Sequence, residues 1–135
     1  MQVRFDVEGV PPKKDGASSM WSKRSELQRL RNLRRAAGTA MSRPIPITAR
    51  ATLRLKIYAA IRAGDLDNFI TGVCDGLMAA HPRTPPAIAW QDLPREIWPD
   101  KAVGLVDDSC VQRIEAERVT PGEEGPRYEI ELSWD

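Results

Sequence analysis

Residues 47–59 alternate without a break. Ile47, Ala49, Ala51, Leu53, Leu55, Ile57 and Ala59 share one parity; Thr48, Arg50, Thr52, Arg54, Lys56 and Tyr58 share the other. A helix advances about 100° per residue and scatters such a pattern around its axis, whereas a strand repeats every two residues. This stretch is therefore expected to be a strand with one apolar and one basic face. Val3, Phe5 and Val7 alternate with polar residues in the same way near the N-terminus, ended by Gly9 and Pro11-Pro12. Cys110 to Val119 reads as a third strand of mixed polarity. Tyr128, Ile130, Leu132 and Trp134 form a closing strand after a turn over 121–126.

Between the strands the period changes. Leu27, Leu30, Leu33, Ala37 and Met41 fall on one side of a helix expected over about 21–41, with Gly38 and Pro44 in its stop region. Phe69, Ile70, Val73, Cys74 and Leu77 do the same for a helix over about 67–80. Residues 81–104 hold five of the eleven prolines together with Trp90 and Trp98, and read as a long loop or short irregular helices. The order strand, helix, strand, helix, strand, strand implies an α+β fold: a mostly antiparallel sheet of about four strands with two main helices. A chain of 135 residues suits a single domain over 1–135 that carries this Pro/Trp-rich segment as an insertion.

The formal net charge of +1 hides an asymmetry. Residues 1–62 carry fourteen Lys/Arg against four Asp/Glu, a balance of +10; residues 63–135 carry six against fifteen, a balance of −9. Such a division suits a polyanion-gripping surface beside a carboxylate site, or two halves that interleave and merely solvate the fold. The expected cationic surface comprises Lys13 and Lys14 on a loop, Arg24, Arg31 and Arg35 on the first helix, and Arg50, Arg54 and Lys56 on the long strand. Cys74 and Cys110 lack metal-ligand spacing and read as small buried hydrophobes. With His81 the only histidine, zinc chemistry is not expected. No leader-like or membrane-length apolar run occurs, so a cytoplasmic location away from membranes is expected.

Two acidic clusters carry the functional expectation. Asp65-Leu66-Asp67-Asn68 opens the second helix, whose polar side continues through Thr71 and Asp75; Asp107-Asp108 precedes the third strand. Capping accounts for one carboxylate at a helix start, not for two at i and i+2. Clustered carboxylates raise one another's pKa unless a cation sits among them, and hard divalent ions such as Mg²⁺ take oxygen ligands of this kind.

These residues resemble the RusA family of Holliday-junction resolvases, crossover junction endodeoxyribonucleases often encoded by phages and prophages. The match lies in Asp65-Leu66-Asp67-Asn68 with Asp75-Gly76-Leu77 on one helix, Val106 to Val111 entering a strand, and Gly9 to Pro12 after the first strand. The resemblance implies a homodimeric, Mg²⁺-dependent endonuclease, with Mn²⁺ as a substitute metal, that cuts a four-way DNA junction by paired symmetric nicks. It assigns Asp65, Asp67 and Asp108 as catalytic metal ligands, with Asp107 a weaker member of the set. Asn68, Thr71 and Asp75 would support them. Two features depart from the family: Thr71 stands where a catalytic lysine is common, and the connection between the acidic boxes is longer. Lys13, Lys14 and Lys101 are candidates to replace that lysine. The departures keep a second reading open, a weak or inactive protein of this fold that binds branched DNA. A metal-dependent phosphohydrolase with a small substrate ranks third. Trp90, Trp98 and Met20-Trp21 read first as core or loop anchors, second as groups that line a dimer contact or wedge bases.

Overall fold

The structure, a computed structural model, describes residues 1–14, 19–80 and 87–135. Strand β1 spans Gln2–Glu8, helix α1 Arg24–Ala40, strand β2 Ala51–Tyr58, helix α2 Leu66–Leu77, strand β3 Val111–Val119 and strand β4 Arg127–Trp134. The sheet order is β1-β4-β2-β3. β4 pairs antiparallel with both β1 and β2, while β2 and β3 run parallel. The fold is thus α+β with a mixed sheet. The parallel pair follows from connectivity: α2 is the crossover between β2 and β3, and parallel neighbours need one.

Leu53, Leu55, Ile57, Tyr128, Ile130, Leu132 and Val7 point to one side of the sheet and are buried against α1 and α2 in one core. The alternation of 47–59 is an imperfect guide to its length. β2 starts only at Ala51, and Ile47 is 54% exposed. Pro44 and Pro46 have no N–H to give a ladder, and the backbone turns instead, with Ala49 N–H donating to Pro46 O at 3.1 Å. Helix α1 likewise starts later than expected, because Met20–Ser22 form a separate 3-10 turn capped by Ser19.

The described part of the insertion, 87–104, takes the form of short irregular helices. It contains 3-10 turns at Ala87–Trp90 and Arg95–Ile97 and sends Trp90, Leu93, Ile97 and Val103 into the core. Trp90 packs against Trp21 with ring centroids 6.2 Å apart. Trp98 donates its indole N–H to Leu93 O at 2.9 Å. These tryptophans therefore anchor the insertion. Arg34, fully buried on α1, fastens it further. Its guanidinium donates to Ile97 O and Gly76 O at 2.8 Å, to Met78 O at 2.8 Å, to Trp98 O at 2.7 Å and to Lys101 O. One cation thus ties the end of α2 to the insertion. Burial lowers its pKa to about 10, still charged at neutral pH.

Candidate metal and nucleic-acid site

The connection after β1 passes directly over α2. A Cβ on Gly72 would lie 1.9 Å from Pro12 O, so only glycine lets the two backbones touch there. Three bonds fix this segment. Lys13 N–H donates to Glu26 Oε1 at 2.8 Å, Lys14 N–H donates to Asn68 O at 3.2 Å, and Lys14 Nζ lies 3.2 Å from Asp75 Oδ2. Glu26 is itself buried and paired with Arg29 at 3.2 Å. The Lys13 side chain runs toward Gly64, where its Cδ would sit 3.2 Å from an added Cβ. The two lysines are consequently laid along α2 beside its polar face, and Lys13 reaches the end that carries the first acidic box.

Asp65 occupies the N-cap position of α2, yet its side chain makes no capping bond. Asp67 lies in the first turn, where the helix dipole favours negative charge. Both are exposed. Thr71 is exposed one turn on and donates its hydroxyl to Asp67 O at 3.1 Å. The residues before the helix are held from β3: Arg118 donates to Ile61 O at 3.2 Å and to Gly64 O, and its guanidinium lies 5.6 Å from the centre of the Phe69 ring.

The second box lies elsewhere. Asp107 caps a 3-10 turn over Asp108–Cys110, accepting from Ser109 N–H at 3.3 Å. Asp108 is exposed, and its N–H points at Met78 Sδ, 3.1 Å away, just past the end of α2. Cys74, in the last turns of α2, has its thiol pushed up to about 12 by burial, with Asp108 and Asp75 adding to the rise. Burial raises the Cys110 thiol as well. Both cysteines are inert buried groups.

The geometry corrects the expectation of one shared cluster. Because β3 runs parallel to β2, α2 runs back against both: Phe69 faces Arg118 at the end of β3, and Met78 faces Asp108 before its start. A helix of twelve residues is about 18 Å long. Asp65 and Asp67 therefore stand at one end of α2, and Asp107 and Asp108 at the other. Among the described residues no group of three or more His, Cys, Asp or Glu is positioned to hold a metal ion within one chain.

The expected cationic surface is also divided. Arg24 and Arg35 are exposed on α1, on the helical side of the sheet, while Arg54 and Lys56 lie on the opposite face. There Arg54 is bound between Glu115 at 2.5 Å and Glu131 at 3.0 Å. Asp6, Glu117 and Glu129 line the same shallow concavity. The basic face of β2 is thus neutralised by its neighbours β3 and β4, which sequence periodicity does not reveal. Arg31 is engaged by Asp92 at 2.5 and 2.8 Å and by Ala89 O at 2.6 Å, holding the insertion. Arg50 is exposed at the start of β2, its N–H donating to Asp135 at 2.9 Å.

Arg34 escaped notice in the sequence although a signal was there. It falls on the apolar side of its helix, four residues after Leu30, with no acid at helical spacing to claim it. No family model matches this chain, and no curated protein matches it either. No described helix is long and apolar enough to cross a membrane.

Proposed function

We propose that this chain is a Mg²⁺-dependent endonuclease of the RusA kind, acting on four-way DNA junctions as a two-fold dimer whose metal sites are each built from both protomers. The observation that carries the reading is the placement of two exposed acidic boxes at opposite ends of one helix. A two-fold axis passing beside that helix near its middle sets the partner's copy against it with the ends reversed. Asp65 and Asp67 of one protomer then approach Asp108 of the partner subunit, twice per dimer. Asp65 suits a ligand's role because its carboxylate is not engaged in capping. Asp107 is held by Ser109 and sits behind.

A bound Mg²⁺ would supply a water of lowered pKa and charge neutralisation at the phosphate. The protein's own residues orient the substrate. Lys13 runs along α2 toward the first box, on the side where phosphates would approach, and Lys14 shares its charge with Asp75. Arg24 and Arg35 extend the contact on the helical side. Arg54 and Lys56 have no part in it, being neutralised on the far face.

Complementation tests the arrangement. Asp67→Asn and Asp108→Asn chains, each inactive alone, regain nicking of a synthetic four-way junction when mixed and allowed to exchange, because one site of each heterodimer is intact. If all carboxylates of a site came from one chain, every site in the mixture would be dead and no activity would return. Junction affinity should also fall steeply with salt. The second reading, a junction binder without cleavage, draws on Thr71. Tight, salt-sensitive binding with no nicks in either Mg²⁺ or Mn²⁺ would establish it.

A further inference from the structure

Residues 60–64 join β2 to α2 through a tight turn. Ala60, Ile61 and Arg62 are exposed in a row, and Ile61 opens the 3-10 segment Ile61–Ala63. At 84% it is the most exposed large apolar side chain among the described residues. Single apolar side chains at a surface are ordinary and call for no explanation. What sets this one apart is how firmly the backbone beneath it is held. Ala59 N–H donates to Val119 O at 3.1 Å just before the turn. Ile61 O accepts from Gly64 N–H at 3.3 Å and from Arg118 at 3.2 Å. Arg118 also donates to Gly64 O, and its guanidinium rests against the Phe69 ring. Gly64, at φ +152°, lets the backbone close onto that ring, where an added Cβ would meet Phe69 Cζ at 2.9 Å. Ile61 is thus presented by a fixed turn, and Asp65 follows that turn directly.

We infer that this turn is a wedge for unstacked bases: Ile61 enters between base pairs where DNA is already open, and Arg62 takes a flanking phosphate. Aliphatic side chains inserted between base steps unstack them, at a cost in stacking energy. That cost is least where a base is mismatched or already unpaired. The turn therefore favours an opened branch point over continuous duplex. The Arg62 guanidinium positions the strand without reading its sequence.

The shape of the feature selects a base stack over a protein groove as its occupant. Its apolar surface is one side chain wide, with exposed Arg62 on one side and the exposed carboxylates of Asp65 and Asp67 beyond. A stable protein contact buries far more than a single isoleucine offers, whereas a gap between two bases admits one such side chain. That the DNA is branched rests on the function proposed above; the insertion itself does not.

The experiment uses the full chain and a synthetic four-way junction carrying 2-aminopurine, whose fluorescence rises on unstacking, at the crossover. Binding in EDTA should raise that fluorescence roughly twofold with the wild type and leave it unchanged with Ile61→Ala, while duplex affinity stays within about twofold. With Mg²⁺ and saturating junction, Ile61→Ala should lower the nicking rate at least about tenfold, and Ile61→Leu should restore it. Mismatches that open the crossover should restore the Ile61→Ala rate as well, which a merely structural role would not allow. Circular dichroism checks that the variants fold, as replacement of an exposed side chain should permit. An unchanged fluorescence rise in Ile61→Ala, or a rate loss that mismatches leave in place, would overturn the inference. So would an altered sedimentation coefficient in Ile61→Ala, by making the turn a protein contact. An Ile61-dependent rise without nicks in Mg²⁺ or Mn²⁺ keeps the wedge and sinks the nuclease. Nicking indifferent to Ile61→Ala, with no fluorescence rise, does the reverse, and a chain that binds no junction loses both.

Discussion

The two ends of α2 are held by opposite means. At the C-terminal end a buried arginine, Arg34, donates to the helix carbonyls of Gly76 and Met78 and to the insertion, so its charge is wholly engaged in structure. At the N-terminal end the structure is held by backbone: Pro12 against Gly72, Lys14 N–H on Asn68 O, and Arg118 on the carbonyl of Gly64. The side chains of Asp65 and Asp67 remain exposed. The contrast teaches that exposed carboxylates at a helix start, held from the backbone, are available for chemistry, whereas a cation count reveals little until the partners are known.

The comparison breaks most severely at Arg34. Replacing it by Met leaves buried carbonyls of the insertion and of α2 without donors, each worth about 1–3 kcal/mol. Arg34→Met should therefore lose at least ~3 kcal/mol of stability in urea denaturation; a loss below about 1 kcal/mol would show that the clamp is dispensable. Gly72→Ala comes next. Its methyl meets the Pro12 carbonyl, so the crossing segment must shift, at a cost of about 1–3 kcal/mol, and junction affinity should fall as Lys13 and Lys14 move. An unchanged thermal midpoint with unchanged affinity would contradict the crossing.

Asp65→Asn sharpens the other side. Its stability should stay within about 0.5 kcal/mol of the wild type, since the side chain does no capping, while nicking is lost. A large destabilisation would return Asp65 to a structural role. The smallest effect concerns Asp92. The Arg31 guanidinium holds its carboxyl at about 2, below the ordinary 3.8. A depressed folded pKa contributes stability that is present above about pH 4 and lost as pH falls through about 2. The thermal midpoint of Asp92→Asn should thus be flatter between pH 4 and 2 than that of the wild type; identical slopes would mean that the pair does not hold the insertion in solution.

Much of the fold was legible because local rules generate it. Among the described residues, period-two and helical patterns located the four strands and the two α-helices, with errors at ends where prolines or a 3-10 turn intervened. The burial of the cysteines was legible for the same reason. The neutralisation of Arg54 was not, because it depends on β4 lying between β1 and β2, an adjacency unrelated to chain order. Nor was the packing of the insertion, which depends on Arg34 and Arg31 from another element.

By itself the amino-acid sequence determined which segments are strands and helices and which of their faces are apolar, since each depends on neighbours within a few positions. Only the tertiary structure decided that Asp65 and Asp67 stand apart from Asp107 and Asp108. A parallel β2–β3 pair obliges the intervening helix to run back along its own sheet, and that reversal sets the two boxes at its opposite ends.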